Sequence, residues 1–288
     1  MPYAADAVPA APCQAVASLP DQLRTESLSV AYPDGTLALQ RASLTFARGQ
    51  FTVLLGASGA GKSTLLRCLN GLVRPTAGRV IAPGIGDMAH PRALRRHRRQ
   101  TGMVFQQHHL IGRLTVLSNV LTGRLGYRSA LGTLLPWSRA EQTLALAALE
   151  RVGMLEHALK RADQLSGGQQ QRVGVARALV QAPRIVLADE PVASLDPATA
   201  ARLLEMLHGI CKTDRITAVV SLHQVQFARR FADRIVGLAH GTVIFDGSPA
   251  QLTDDIVALL YGAPSPRALR EALIGVANRQ HSPERAFA

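Results

Sequence analysis

The chain has 288 residues, 47% hydrophobic and 4% aromatic, with a formal net charge of +12. That length suits one large α/β domain with appendages and excludes a peptide too short to bury its own core. The basic balance draws anions, whether nucleic acid, nucleotide or the acidic face of a membrane, without choosing among them.

Residues 1–22 are Ala/Pro-rich and read as a disordered leader, lacking the basic start and unbroken apolar core of a secretory signal. No stretch reaches the roughly 18 apolar residues of a membrane span, so contact with a membrane would need a partner. Cys13, Cys68 and Cys211 are odd in number and unpaired in spacing. They argue against a disulfide framework or zinc site and fit a reducing cytosol. From Leu23 order is expected. The 28–32 and 37–46 stretches alternate apolar and polar residues around Pro33-Asp34-Gly35, which predicts an antiparallel hairpin with Tyr32 closing its first strand.

Residues 51–55 read as a buried strand and 64–72 as a helix. Between them stands Gly56-Ala57-Ser58-Gly59-Ala60-Gly61-Lys62-Ser63, the pattern of a phosphate-binding loop. The glycines allow backbone to wrap a phosphate closely, Lys62 supplies charge for the terminal phosphates, and the Ser63 hydroxyl suits Mg2+. The first amides of the helix, from Thr64 on, face the same anion. A surface glycine turn would need neither the strand before it nor Leu65, Leu66 and Leu69 after it.

The arginines at 92, 95, 96, 98 and 99 read as a solvated face or a patch near anionic lipid headgroups, since no aromatic residues interleave them as a nucleic-acid site would require. Residues 107–182 turn helical, with apolar three- and four-residue spacing over 140–152. Ser166 is placed as the N-cap of a helix through 173–180, and its hydroxyl with the Gly167 and Gly168 amides forms a second terminus suited to an anion. The 184–188 and 216–222 stretches predict strands buried on both faces. Asp189 and Glu190 end the first of these at an edge where α/β sheets bind ligands. There Asp189 suits magnesium and Glu190 suits polarising a water. A last hairpin is expected over 235–239 and 242–245, then an Arg- and Ala-containing tail, helical over 266–276. Neither an internal repeat nor a heptad run is present.

Taken in order, the loop 56–63, Gln106 after Met103-Val104-Phe105, Leu165-Ser166-Gly167-Gly168-Gln169, Asp189-Glu190, Ser194-Leu195-Asp196 and His223 resemble the ATP-binding subunits of ABC transporters over residues 23–266. The resemblance implies a P-loop NTPase α/β core with an antiparallel β subdomain and a helical subdomain at about 107–182, leaving 267–288 as a tail. It also implies a homodimer binding ATP and Mg2+, each ATP held between one subunit's phosphate loop and the other's Ser166–Gln169 segment. On that analogy Tyr32 stacks on adenine, Gln106 senses magnesium and the attacking water, His223 touches the γ-phosphate, Asp196 bridges the two sites, and Glu190 is the general base. Ala57 stands where many relatives carry proline, a change expected to alter loop stiffness and not phosphate contacts.

The stretches 104–114, 119–127, 188–197 and 221–225 are similar to the phosphonate-import ATPases. Two transmembrane permease subunits docking at 107–128, an indirect periplasmic solute-binding protein and a peripheral place on the cytoplasmic face of a bacterial inner membrane follow from that resemblance, with no nucleic-acid partner. An importer of phosphate, phosphite or a polar amino acid is the alternative cargo reading. An ABC-type ATPase acting on DNA would need a long coiled-coil arm between Gly56 and Leu165, for which there are no heptads. A translation-linked relative would carry two cassettes, and a P-loop kinase would leave Leu165 to Gln169 unexplained.

Overall fold

The period-two stretch at the start folds into an antiparallel sheet. In the computed structural model, which describes residues 22–107, 109–129 and 131–262, β1 (Leu23–Ala31) pairs with β2 (Leu37–Phe46). β1 begins five residues before the expected start at 28. The alternation is masked there by a bulge, with Ser27 and Arg41 at φ 46° and 45° and each backbone N–H captured by a serine hydroxyl of the facing strand, Ser43 and Ser29. The chain leaves this sheet for β3 (Phe51–Leu55) and α1 (Lys62–Leu69), then returns to add β4 (Ala77–Ala82) and β5 (Gly86–Asp87) in the order β2-β1-β4-β5. Neither added strand is legible in the sequence: β4 opens on Ala-Gly-Arg, and Gly78 is there because a Cβ would lie 2.3 Å from the Ser27 carbonyl of the bulge.

After α2 (Pro91–Arg99) comes β6 (Thr101–Val104), and the chain then contributes only helices until the next strand: α3 (Val116–Leu121), α4 (Arg139–Arg151) and α5 (Gly167–Leu179), with short 3-10 turns between them. Thr115, Ser138 and Ser166 cap these helices through their side-chain oxygens. There follow β7 (Ile185–Asp189), α6 (Pro197–Thr213), β8 (Thr217–Ser221), α7 (Val225–Phe231), β9 (Arg234–Ala239), β10 (Thr242–Gly247) and α8 (Asp254–Tyr261). The second sheet runs β10-β9-β3-β8-β7-β6, parallel throughout except for β10.

Both faces of this sheet are covered, which is why its strands read as continuous apolar runs. Alternate residues feed two cores. Phe51, Val53, Leu55, Val186, Ala188, Ala218 and Val220 pack against the helices after β6, while Leu54, Ile185, Leu187, Val219 and Val236 pack against α1 and the antiparallel sheet. A fully buried Val or Leu contributes about 1.5–3 kcal/mol, so a one-residue slip in any central strand would exchange the two cores at prohibitive cost. Cys68 and Cys211 lie inside these cores, where burial pushes both thiols up to about 12. Of the expected leader only Gln22 is described; the tail, Cys13 and the 266–276 helix lie outside the described residues. None of the described helices is long and apolar enough to cross a membrane.

Candidate active site

Because β3, β6, β7 and β8 are parallel and in register, their C-terminal ends open onto one edge. The loop 56–63 follows β3, Gln106 lies two residues beyond β6, Asp189 ends β7 with Glu190 next, and Ser221 ends β8 two residues before His223. The topology therefore gathers residues more than a hundred positions apart in sequence at the ligand-binding edge of an α/β sheet.

The loop keeps its shape through glycine. Gly56, Gly59 and Gly61 have φ of 146°, 78° and 104°, and a Cβ would lie 2.2 Å from the Leu238 carbonyl at Gly56 and 2.5 Å from the Ala38 carbonyl at Gly61. At Gly59, by contrast, nothing lies within 4 Å. The backbone there approaches open space. Unlike α3, α4, α5, α6 and α8, whose first amides are taken by Thr115, Ser138, Ser166, Asp196 and Thr253, α1 has Gly61 as N-cap and no side-chain acceptor. Its leading N–H groups and positive dipole end are left for an anion, which fits the polyphosphate of a nucleotide.

Lys62 is only 4% exposed, and its ammonium donates to the carbonyls of Gly56 at 2.7 Å and Ala57 at 2.9 Å. Burial lowers its pKa, opposed by the negative charges of Glu190 and Asp189. Ser63 Oγ donates to Asp189 Oδ1 at 2.8 Å, and the same oxygen accepts from Ser221 Oγ at 2.9 Å. Ser63 and Asp189 thus offer two adjacent hard oxygen donors. Among the described residues no group of three or more His, Cys, Asp or Glu forms a metal cage. Two protein oxygens suit Mg2+, which completes its shell with phosphate and water.

Glu190 adopts a left-handed φ of 47°, unusual for a non-glycine residue. Its N–H donates to Ser221 Oγ at 2.8 Å, and its Oε1 lies 2.6 Å from His223 Nε2. Ser221 therefore fixes Asp189 and Glu190 together, a part that sequence reasoning missed. Tyr32 sits just past β1, its hydroxyl 3.2 Å from Thr64 Oγ1, so the antiparallel sheet reaches the start of α1.

Gln106, beyond β6 at the same edge, is exposed. Asp196 caps α6, its Oδ1 accepting from the Ala198 and Thr199 amides, and hydrogen bonding from the Thr199 hydroxyl, assisted by these amides, holds its carboxyl below the usual range. Ser166 and Gln169 form a reciprocal capping box on α5, with Ser166 and Gly167 exposed. No hydrogen bond joins Ser166–Gln169 to the loop 56–63 among the described residues. Part of the basic run is tied to neighbouring backbone: Arg98, although exposed, donates to the Asn70 and Gly71 carbonyls and Arg99 to Gly126, while Arg92, Arg95 and Arg96 are exposed.

A glycine-wrapped loop at a bare helix end, an imidazole just past the adjacent strand β8 and two carboxylates at the end of β7 beyond it define a P-loop nucleoside triphosphatase. The family model for ABC transporters matches residues 39–193. A phosphonates import ATP-binding protein of Cupriavidus metallidurans is 60% identical over 246 residues, 85% of this chain and 88% of its own length. A phosphite import ATP-binding protein of Stutzerimonas stutzeri is 58% identical, covering 84% of this chain and 88% of its own. Among solved structures, a dimeric ATP-binding cassette in a post-hydrolysis state with ADP and phosphate aligns with a TM-score of 0.69 at 35% identity, over 79% of this chain and 98% of that one. The chain belongs to the ABC transporter family, as an ATP-hydrolysing cassette.

Proposed function

We propose that this cassette energises import of phosphonates across a bacterial inner membrane, working as a homodimer on the cytoplasmic face beneath two permease subunits fed by a periplasmic binding protein. The relatives' names carry the cargo reading, with phosphite as the alternative that one of them favours. The observation that carries the chemistry is the Ser63–Asp189–Ser221–Glu190–His223 arrangement beneath the phosphate loop.

In this reading the backbone of 56–63 and the Thr64 amide cradle the phosphates, Lys62 turns from the Gly56 and Ala57 carbonyls to the terminal phosphates, and Tyr32 stacks on adenine. Ser63 and Asp189 hold Mg2+, with Gln106 sensing it from the end of β6. Bound there, the ion would neutralise charge on the transferring phosphoryl group. Glu190 takes the proton of the attacking water, and His223, within hydrogen-bond reach of Glu190, contacts the γ-phosphate. Ser166, Gly167, Gly168 and Gln169 complete the site of a second copy, which accords with the exposure of Ser166 and Gly167 and with the absence, among the described residues, of a hydrogen bond from the segment to the loop of its own chain. Asp196 lies near this segment, since Gly168 packs on Thr199 of the helix that Asp196 caps.

Beside Gln106 a groove of about 810 Å³ is lined by Leu94, Phe105, Leu125 and Tyr127 with Arg95 and Arg128. Its mixed apolar and basic lining suits a helix of the permease, and Leu125, Tyr127 and Arg128 bring it onto the 107–128 surface. Growth of a strain lacking this gene on a phosphonate as sole phosphorus source tests the cargo. Loss of growth restored by the wild-type gene and not by Lys62→Ala supports the reading, and unimpaired growth of the deletion strain contradicts it.

A further inference from the structure

The helix α8 ends against the active site. Its first turn is capped by Thr253 and carries Asp254 and Asp255, while its last turn buries Leu260 over Gly237, where a Cβ would stand 2.7 Å from the leucine. The Leu260 carbonyl accepts the Ala57 N–H at 3.3 Å, a donor a proline at that position would lack. The Tyr261 hydroxyl donates to the His223 carbonyl at 2.8 Å. Partial burial raises the Tyr261 pKa, opposed by the Gly56 backbone N–H beside the hydroxyl.

His223 stands on a short irregular stretch between β8 and α7. The Leu222 N–H, bonded to the Leu54 carbonyl at 3.0 Å, ties that stretch to β3 just before His223. At His223 itself the backbone carbonyl is held by Tyr261, and the imidazole beyond it reaches Glu190 at 2.6 Å. A tilt of this peptide moves the ring relative to Glu190, and displacements near 1 Å at reacting groups cost large factors in rate.

We propose that Tyr261 is a positioning residue for ATP hydrolysis: the last turn of α8 braces the His223 loop against the phosphate loop and so sets His223 relative to Glu190. This rests on the reading of His223 and Glu190 as hydrolytic residues. Tyr261 touches neither substrate nor reacting atoms and acts through His223.

The test is Tyr261→Phe in the purified chain, which keeps the ring and removes the hydroxyl. The rate constant kcat falls about fivefold, the scale of one hydrogen bond, while KM for ATP and the Kd of a fluorescent ATP analogue stay within about twofold. On a His223→Ala background, Tyr261→Phe produces no further loss in single-turnover rates. The imidazole resonances of His223 shift in Tyr261→Phe while those of His97 do not. Unchanged kcat, a loss additive with His223→Ala, or an unmoved His223 resonance would each overturn the proposal. Full activity of His223→Ala would instead remove the reading beneath it, a failure distinct from that of Tyr261 alone.

Discussion

At the scale of single residues, Lys62 is the sharpest test of the site. Its buried ammonium is satisfied by two loop carbonyls and attracted by Asp189 and Glu190, so it is held where phosphates of a bound nucleotide would compete for it. Lys62→Ala is expected to lower ATP affinity by at least about tenfold, the loss of one charge-assisted contact, and to reduce hydrolysis to background. Equilibrium binding of a fluorescent ATP analogue and phosphate release check both.

A second residue-scale prediction concerns His97, fully buried on α2, where Nε2 donates to the Leu69 carbonyl at 2.8 Å and Nδ1 lacks a partner. Burial pushes its pKa down to about 4, with the Leu69 carbonyl opposing and Arg98 assisting. The folded protein therefore binds its proton less readily than the unfolded chain. This contribution to stability is complete above the unfolded value of 6.5 and is lost as pH falls from there toward 4, by about 2 kcal/mol between pH 8 and 5. Urea titrations of wild type and His97→Gln at the two pH values should differ by that amount, the variant being less pH-sensitive.

At the scale of elements, the phosphate loop depends on Gly56 and Gly61, where a Cβ has no room. Gly56→Ala combines a positive φ with a Cβ 2.2 Å from the Leu238 carbonyl, so β3 and β9 must part locally. A loss of more than about 2 kcal/mol in chemical denaturation is expected, together with loss of ATP binding. Gly59→Ala meets nothing within 4 Å and should cost only its backbone strain. The contrast also explains what was legible in advance. The loop, the strand-end carboxylates and the Ser166 cap each demand a residue type at a fixed spacing, so they can be read from the chain. β4, β5 and β6 could not: β4 opens on Ala-Gly-Arg and pairs across the bulge around Ser27, β5 has only two residues, and β6 has four whose partner β7 lies far away in sequence. Ser221 and Tyr261 were equally silent: their partners lie 31 to 38 residues distant, and nothing local distinguishes them from an ordinary hydroxyl.

At the scale of the whole molecule, one chain contributes half of each proposed site. The phosphate loop, Asp189, Glu190 and His223 share an edge, whereas Ser166 and Gly167 lie exposed at the start of α5 with no hydrogen bond to that edge. In the proposed homodimer ATP would act as the adhesive between two copies and its cleavage would let them part, supplying the motion a permease would harness. Glu190→Gln separates binding from cleavage. Sedimentation of Glu190→Gln with MgATP is the most direct measurement: a stable dimer that reverts to monomer when Ser166→Arg is added is the predicted result, and a monomer at saturating MgATP would contradict the account.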